Sequence, residues 1–224
     1  MTKLQLLLAG AARRTDRRYR QAIPPRGPIN PNGYYHVSSR GNFGQPLFQT
    51  PGEHELYLEL FARYAKKFGW KTLAWSLVWN HHHFLIKLSD DGLSEGMRRI
   101  NHGFSRRINA AYGRTGKGHL VRHSFFAKEI DSQPYLLAAL RYIDLNAVEA
   151  GLCERPEDWR WCGYAATMGH VKPRPFHDIG ATLRLFGRRP EEARTQYAQF
   201  VLNRLPGKGY DFATLDPAMV RSAA

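Results

Sequence analysis

The hydrophobic pattern of this chain changes period several times. Tyr34-Tyr35-His36-Val37-Ser38-Ser39-Arg40 alternates and is rich in strand formers, which predicts a first strand ended by Gly41-Asn42. From about Gly52 the period lengthens. Leu56, Leu60, Phe61, Tyr64 and Phe68 recur at helical spacing over Glu53 to Phe68, and Gly69 closes that helix. Residues 71–79 and 81–88 return to apolar alternation with almost nothing between them at Trp79-Asn80, so they predict a hairpin whose second strand starts at the histidines. From Leu93 a second helical stripe runs through Met97, Ile100, Phe104 and Ile108, while its opposite side carries Arg98, Arg99, His102, Arg106 and Arg107.

His123 to Ile130 is a fourth strand candidate. Asp131-Ser132 ahead of Pro134 reads as a helix start, with a capping side chain just before the proline, and Gly151 is a natural stop. Leu136, Leu140, Ile143 and Ala147 form the core stripe of this third helix, and Tyr135, Ala139, Tyr142 and Asn146 share a neighbouring face. Tyr142 and Asn146 are therefore one turn apart. A Trp-rich linker around Trp159 and Trp161 precedes residues 176–205, whose patterning predicts a small helical appendage. The order strand, helix, strand, strand, helix, strand, helix suits an α+β fold, a ferredoxin-like split βαβ sheet with helices packed on one face. That architecture hosts many functions and decides none of them.

Composition narrows the classes. At 224 residues the chain can bury a sizeable core without crosslinks, and two cysteines, Cys153 and Cys162, give neither a disulfide framework nor a zinc ribbon. A reducing cytoplasm is the expected location. No run approaches the roughly 18 apolar residues of a spanning helix, so no membrane role is expected. The net charge of +14 predicts attraction to polyanions, nucleic acid foremost. Residues 1–32 read as a basic, proline-rich arm, with Arg13, Arg14, Arg17, Arg18 and Arg20 leading into Pro24 to Pro31. Residues 33–165 read as the main domain and 166–224 as the C-terminal helical extension.

The chemistry concentrates at Trp79-Asn80-His81-His82-His83-Phe84. A strand points residues i and i+2 to one face, so His81 and His83 offer two imidazoles side by side, half of a divalent metal site. The same triplet would also suit a solvated polar strand end, and a slipped register would present His82 and Phe84 instead. The apolar side is expected to take His82 and Phe84, because Ile86 and Leu88 share that face. If the third helix packs beside the pair, the amide oxygen of Asn146 completes a three-ligand face with Tyr142 one turn away. Gly113-Arg114-Thr115-Gly116-Lys117-Gly118 lacks the spacing and the hydroxyl of a nucleotide-phosphate loop and reads as a flexible basic connection.

Three motifs in order carry a resemblance: Tyr35-His36-Val37-Ser38-Ser39-Arg40-Gly41-Asn42, Trp79-Asn80-His81-His82-His83, and Arg141-Tyr142-Ile143-Asp144-Leu145-Asn146-Ala147-Val148-Glu149-Ala150-Gly151-Leu152. Together they resemble the single-tyrosine HUH transposases, in particular the REP-associated tyrosine transposase branch. His82 departs from the apolar residue usual at that position, Trp79 stands where proline is common, and Ala147 replaces a proline commonly seen after the asparagine. The resemblance implies that His81, His83 and Asn146 hold Mg2+ or Mn2+. It also implies that Tyr142 attacks a phosphate of single-stranded DNA at hairpin or palindromic repeats, giving a 5′-phosphotyrosine and a free 3′-hydroxyl.

Arg98, Arg99, Arg106, Arg107, Arg114 and Lys117 are the candidate DNA-backbone contacts, which give affinity without sequence choice. A hairpin-binding regulator that does not cleave is the alternative on the same fold. The sequence leaves a monomer and a homodimer equally open.

Overall fold

The computed structural model describes residues 29–114 and 120–203, with the side chains of residues 122–124 excepted. The arm residues Arg13 to Arg20 and Lys117 lie outside the described residues. Four strands, β1 (Tyr34–Gly41), β2 (Lys71–Val78), β3 (His81–Lys87) and β4 (Val121–Ile130), form one antiparallel sheet in the order β2-β3-β1-β4. The β2–β3 hairpin turns at Trp79-Asn80, as the alternation predicts. β3 is flanked on both sides, pairing Ser38 and Ser76 with His83, and Arg40 and Val78 with His81.

Helices α1 (Pro51–Lys67) and α2 (Leu93–Ala111) cover one face. Their stripes meet Tyr35, Val37, Leu77, Phe84 and Ile86 in one apolar cluster, in which the Phe61 and Phe84 rings stack at 3.8 Å. The start of α1 is fixed by a capping box: Thr50 Oγ1 accepts from the Glu53 amide, and the Glu53 carboxylate reaches back to the Thr50 amide. Gly92 and Gly96, at the start of α2, lie so close to the rings of Phe68 and Trp70 that a Cβ would meet them at 2.2 Å and 2.5 Å. The helix can approach that corner only because both residues lack a side chain.

The expectation of helices on one face holds for α1 and α2 but not for α3 (Gln133–Glu149). This helix packs with Leu73, Ala74 and Leu85 in a second cluster, and alternation along the strands places those contacts on the other side of the sheet. Burial on several sides of α3, from Leu136 to Ala147, left its docking face ambiguous in the sequence. Ser132 has the extended backbone of an N-cap, but its side chain makes no capping hydrogen bond, and Pro134 in the first turn supplies the start signal.

The chain after α3 does more than append helices. Around the short α4 (Tyr164–Thr167), residues 161–178 lie along the open edge of β2, with Leu77 N bonded to Trp161 O, Gly163 N to Trp75 O, and Asp178 N to Thr72 O. Trp159 donates its indole N–H to Leu77 O, and Trp161 is buried in the first cluster. The Trp-rich segment expected to be a linker is thus a cover for an edge strand, satisfying backbone groups that would otherwise be exposed. Helices α5 (Ile179–Leu183) and α6 (Pro190–Leu202) follow, and α6 buries Ala193, Tyr197 and Val201 in the cluster that includes α3.

Candidate active site

β3 divides its histidines between the two faces of the sheet. His82 points toward α1 and α2, where its Nε2 lies 2.6 Å from Tyr57 Oη. The Tyr57 hydroxyl donates to Asn101 Oδ1 at 2.9 Å, so it accepts from His82, and Asn101 Nδ2 donates to Ser39 Oγ at 3.0 Å. This buried chain ties β3 to α1, α2 and β1, which gives His82 its polar partner inside an apolar layer. His81 and His83 then face α3, with ring centroids 4.9 Å apart.

α3 brings its Tyr142/Asn146 side to that pair. Tyr142 Oη lies 3.5 Å from His83 Nε2, and Asn146 Nδ2 lies 3.4 Å from His81 Nε2. The outer nitrogens are held from behind. His81 donates its Nδ1–H to Asn80 Oδ1 at 2.6 Å, which leaves an acceptor lone pair on Nε2. His83 Nδ1 lies 2.8 Å from His36 Nε2, and the two rings are near-parallel, 29° apart, with centroids 4.9 Å from each other.

Burial keeps these rings neutral. Desolvation holds His36 down to about 3, with Lys128 adding to it. Desolvation followed by the charge of Arg40 brings His81 to about 3, and His83 is lowered well below the usual imidazole range, chiefly by burial. Arg40 stands directly opposite His81 in the β1–β3 ladder, so the two share a face. Neutral imidazoles are the form in which histidine binds a metal.

Among the described residues, no cluster of three His, Cys, Asp or Glu side chains is arranged for a metal. The donor set here is different, two imidazole nitrogens and an amide oxygen. Asn146 Oδ1 is buried and has no hydrogen-bond partner among the described residues, a cost that a bound cation would remove. Two neutral imidazoles, His81 with an unprotonated Nε2 and His83 beside it, together with one orphaned amide oxygen fit a divalent ion.

The structure therefore brings together His81, His83, Tyr142 and Asn146, and it does not bring the α2 arginines to them. Arg98 and Arg99 pair with Glu95, and Arg106, Arg107 and Arg114 are exposed, on the helix and its C-terminal end across the sheet from Tyr142. Cations on the site face are Arg40, opposite His81, and Lys128, opposite His36. Sequence reading placed His36 and Arg40 in a motif but gave neither a role. Their strand alternation with Ser38 was the signal that they share one face.

No described helix is long and apolar enough to cross a membrane. No curated protein matches the chain. Among solved structures it is similar to a REP-associated tyrosine transposase bound to a REP hairpin, at 18% identity, covering 71% of this chain and 90% of that one with a TM-score of 0.55. It also overlaps a tRNA(His) guanylyltransferase from Saccharomyces cerevisiae at 12% identity, covering 85% and 86% of the two chains with a TM-score of 0.38. The family model described as IS200-like transposase matches residues 30–146, which span the whole sheet and end at Asn146. The chain belongs to the IS200-like transposases, a family of DNA-processing enzymes.

Proposed function

We propose that this transposase cleaves and rejoins single-stranded DNA at hairpin-forming repeats, using Tyr142 as nucleophile and a divalent ion held by His81, His83 and Asn146. The observation that carries the reading is the convergence of one phenol, two neutral imidazoles and one orphaned amide oxygen on the same side of β3. All three ligands are neutral, so Mg2+ or Mn2+ there would keep its full charge to polarise an anionic phosphate.

The chain's own residues do the rest. Asn80 and His36 orient the two imidazoles, α3 presents Tyr142 beside His83, and Arg40 adds positive charge on the site face. Tyr142 Oη bonds to phosphorus as the bond to the 3′-oxygen of the preceding nucleotide breaks. The phenolic proton leaves to water, and the departing 3′-oxygen takes a proton from water to leave as a hydroxyl. One phosphodiester is exchanged for a 5′-phosphotyrosine ester, so rejoining needs no nucleotide triphosphate. The solved relative's hairpin ligand supports the substrate class, and the exposed side chains of Arg98, Arg99, Arg106, Arg107 and Arg114 are the candidate contacts to the DNA backbone.

Labelled single strands carrying hairpins, incubated with protein and Mg2+ or Mn2+ and run on denaturing gels, test this. A protein-linked fragment that disappears in Tyr142→Phe, with hairpin binding kept, supports it. Binding with no adduct from any strand points to the non-cleaving regulator.

A further inference from the structure

We propose that His36 is a positioning residue that accepts the Nδ1 proton of His83 and so keeps the Nε2 lone pair of His83 turned into the site beside Tyr142. The inference rests on the metal reading above and extends it to a residue outside the ligand set. His36 and His83 are on neighbouring strands, 47 residues apart in sequence, with Nε2 and Nδ1 separated by 2.8 Å. Both rings are buried, at 3% and 0% exposure, so neither exchanges its proton readily with solvent.

One proton occupies a gap of that length between two neutral imidazoles. If it belongs to His36, His83 must carry its own proton on Nε2, pointing at the site, and cannot ligate there. If it belongs to His83 Nδ1, then Nε2 is a donor to a metal and His36 is the acceptor. His81 supplies the parallel, because its Nδ1–H is given to Asn80 Oδ1, an atom that can only accept. The two ligands thus have matched arrangements, one backed by an amide oxygen and the other by a ring nitrogen. The near-parallel set of the His36 and His83 rings, 29° apart, and the edge contact of His36 with Tyr142 at 6.0 Å, fix the orientation of all three.

The test uses the full chain without metal first. Long-range proton–nitrogen correlation spectra of histidine-labelled protein read the tautomer directly, and the expected result is His83 protonated on Nδ1. Mn2+ binding, followed by the paramagnetic resonance of free Mn2+, is then compared for wild type, His36→Leu, His36→Gln and His83→Ala. His36→Leu should weaken binding about 10–100-fold, the range for loss of a residue behind a metal ligand. His36→Gln, whose amide oxygen can occupy the place of Nε2, should recover most of the loss. An Nε2-protonated His83, Mn2+ binding by His36→Leu equal to wild type, or a Gln variant as weak as Leu would overturn the proposal. If His83→Ala itself leaves Mn2+ binding unchanged, the metal reading falls, and this inference falls with it. The spectra of the wild type decide the matter even where a variant fails to fold.

Discussion

His82 Nε2 and Tyr57 Oη meet at 2.6 Å inside the layer between the sheet and α1, on the opposite side of β3 from the site. The contact anchors the middle histidine inward, and strand alternation then commits His81 and His83 outward. A one-residue slip would put an imidazole where Phe84 stacks on Phe61 and would strand the Tyr57 hydroxyl.

Tyr57→Phe removes that anchor and leaves the His82 N–H and Asn101 Oδ1 buried without their partner. The expected loss is about 1–3 kcal/mol, the usual cost of an unsatisfied buried polar group. Urea unfolding should show a lower midpoint at unchanged slope. An unchanged midpoint would mean that the contact does not hold β3.

Metal affinity should be nearly independent of pH between 6 and 8. The ligand imidazoles are held neutral by burial, His81 down to about 3, so binding in this range displaces no protons from them. Titrations with Mn2+ at pH 6 and pH 8 should agree within about twofold, whereas ligands with the ordinary imidazole value near 6.5 would lose affinity at the lower pH. A loss of several-fold at pH 6 would show that the rings are protonated there.

Stability of the metal-free protein has the opposite relation to pH. Histidines whose folded values lie below the unfolded value near 6.5 stabilise the fold above 6.5, and that contribution is lost as pH falls from about 6.5 toward about 3. His36 and His81 span this window, and His177 spans it down to about 4. Asp144 works against them: burial raises its carboxyl to about 7, so its contribution is present below about 4 and is lost as pH rises toward 7. Burial raises Glu149 to about 7 as well, but the three histidines, with His82 and His83 lowered in the same sense, outweigh these two carboxyls, and the melting temperature should fall from pH 7 to pH 5. A melting temperature that holds or rises over that interval would contradict these assignments.

Tyr197 on α6 donates to Asp144 Oδ2 on α3, between Tyr142 and Asn146 in sequence. Tyr197→Phe should cost about 1.5–3 kcal/mol at pH 8, where the acceptor is charged, and about 0.5–1.5 kcal/mol at pH 5, where it is neutral. Equal losses at the two pH values would show that Asp144 does not titrate between them.

Much of this arrangement was legible in local spacing. The alternation in Tyr34 to Arg40 and around His81, and the stripes of α1 and α2, predicted those elements because each buries one side against the core. The pairing of His81 with His83, and of Tyr142 with Asn146, followed from the period of a strand and of a helix. The face chosen by α3 was not legible, because that helix is buried on several sides. Nor was the role of Trp159 to His177, an irregular segment whose hydrogen bonds to β2 depend on a partner strand more than 80 residues away. His36 was in view as part of a motif, but its bond to His83 belongs to the register of β1 and β3, which spacing within one strand does not reveal.

The exposed arginines of α2 make a prediction separable from catalysis. Replacing Arg106 and Arg107 with Gln should weaken hairpin binding at all sequences and reduce the slope of log affinity against log salt by about 0.7–0.9 for each phosphate that is no longer neutralised. Adduct yield at saturating DNA should stay near wild type. A slope that does not change would mean that these side chains do not touch the DNA backbone.

Mass mapping of the protein–DNA adduct after nuclease and protease digestion tests Tyr142 as the nucleophile most directly. The expected product is a nucleotide remnant joined through its 5′-phosphate to Tyr142, formed with Mg2+ or Mn2+ and absent when the metal is chelated. Cleaved strands with no remnant on the protein, or a remnant on another side chain, would contradict it.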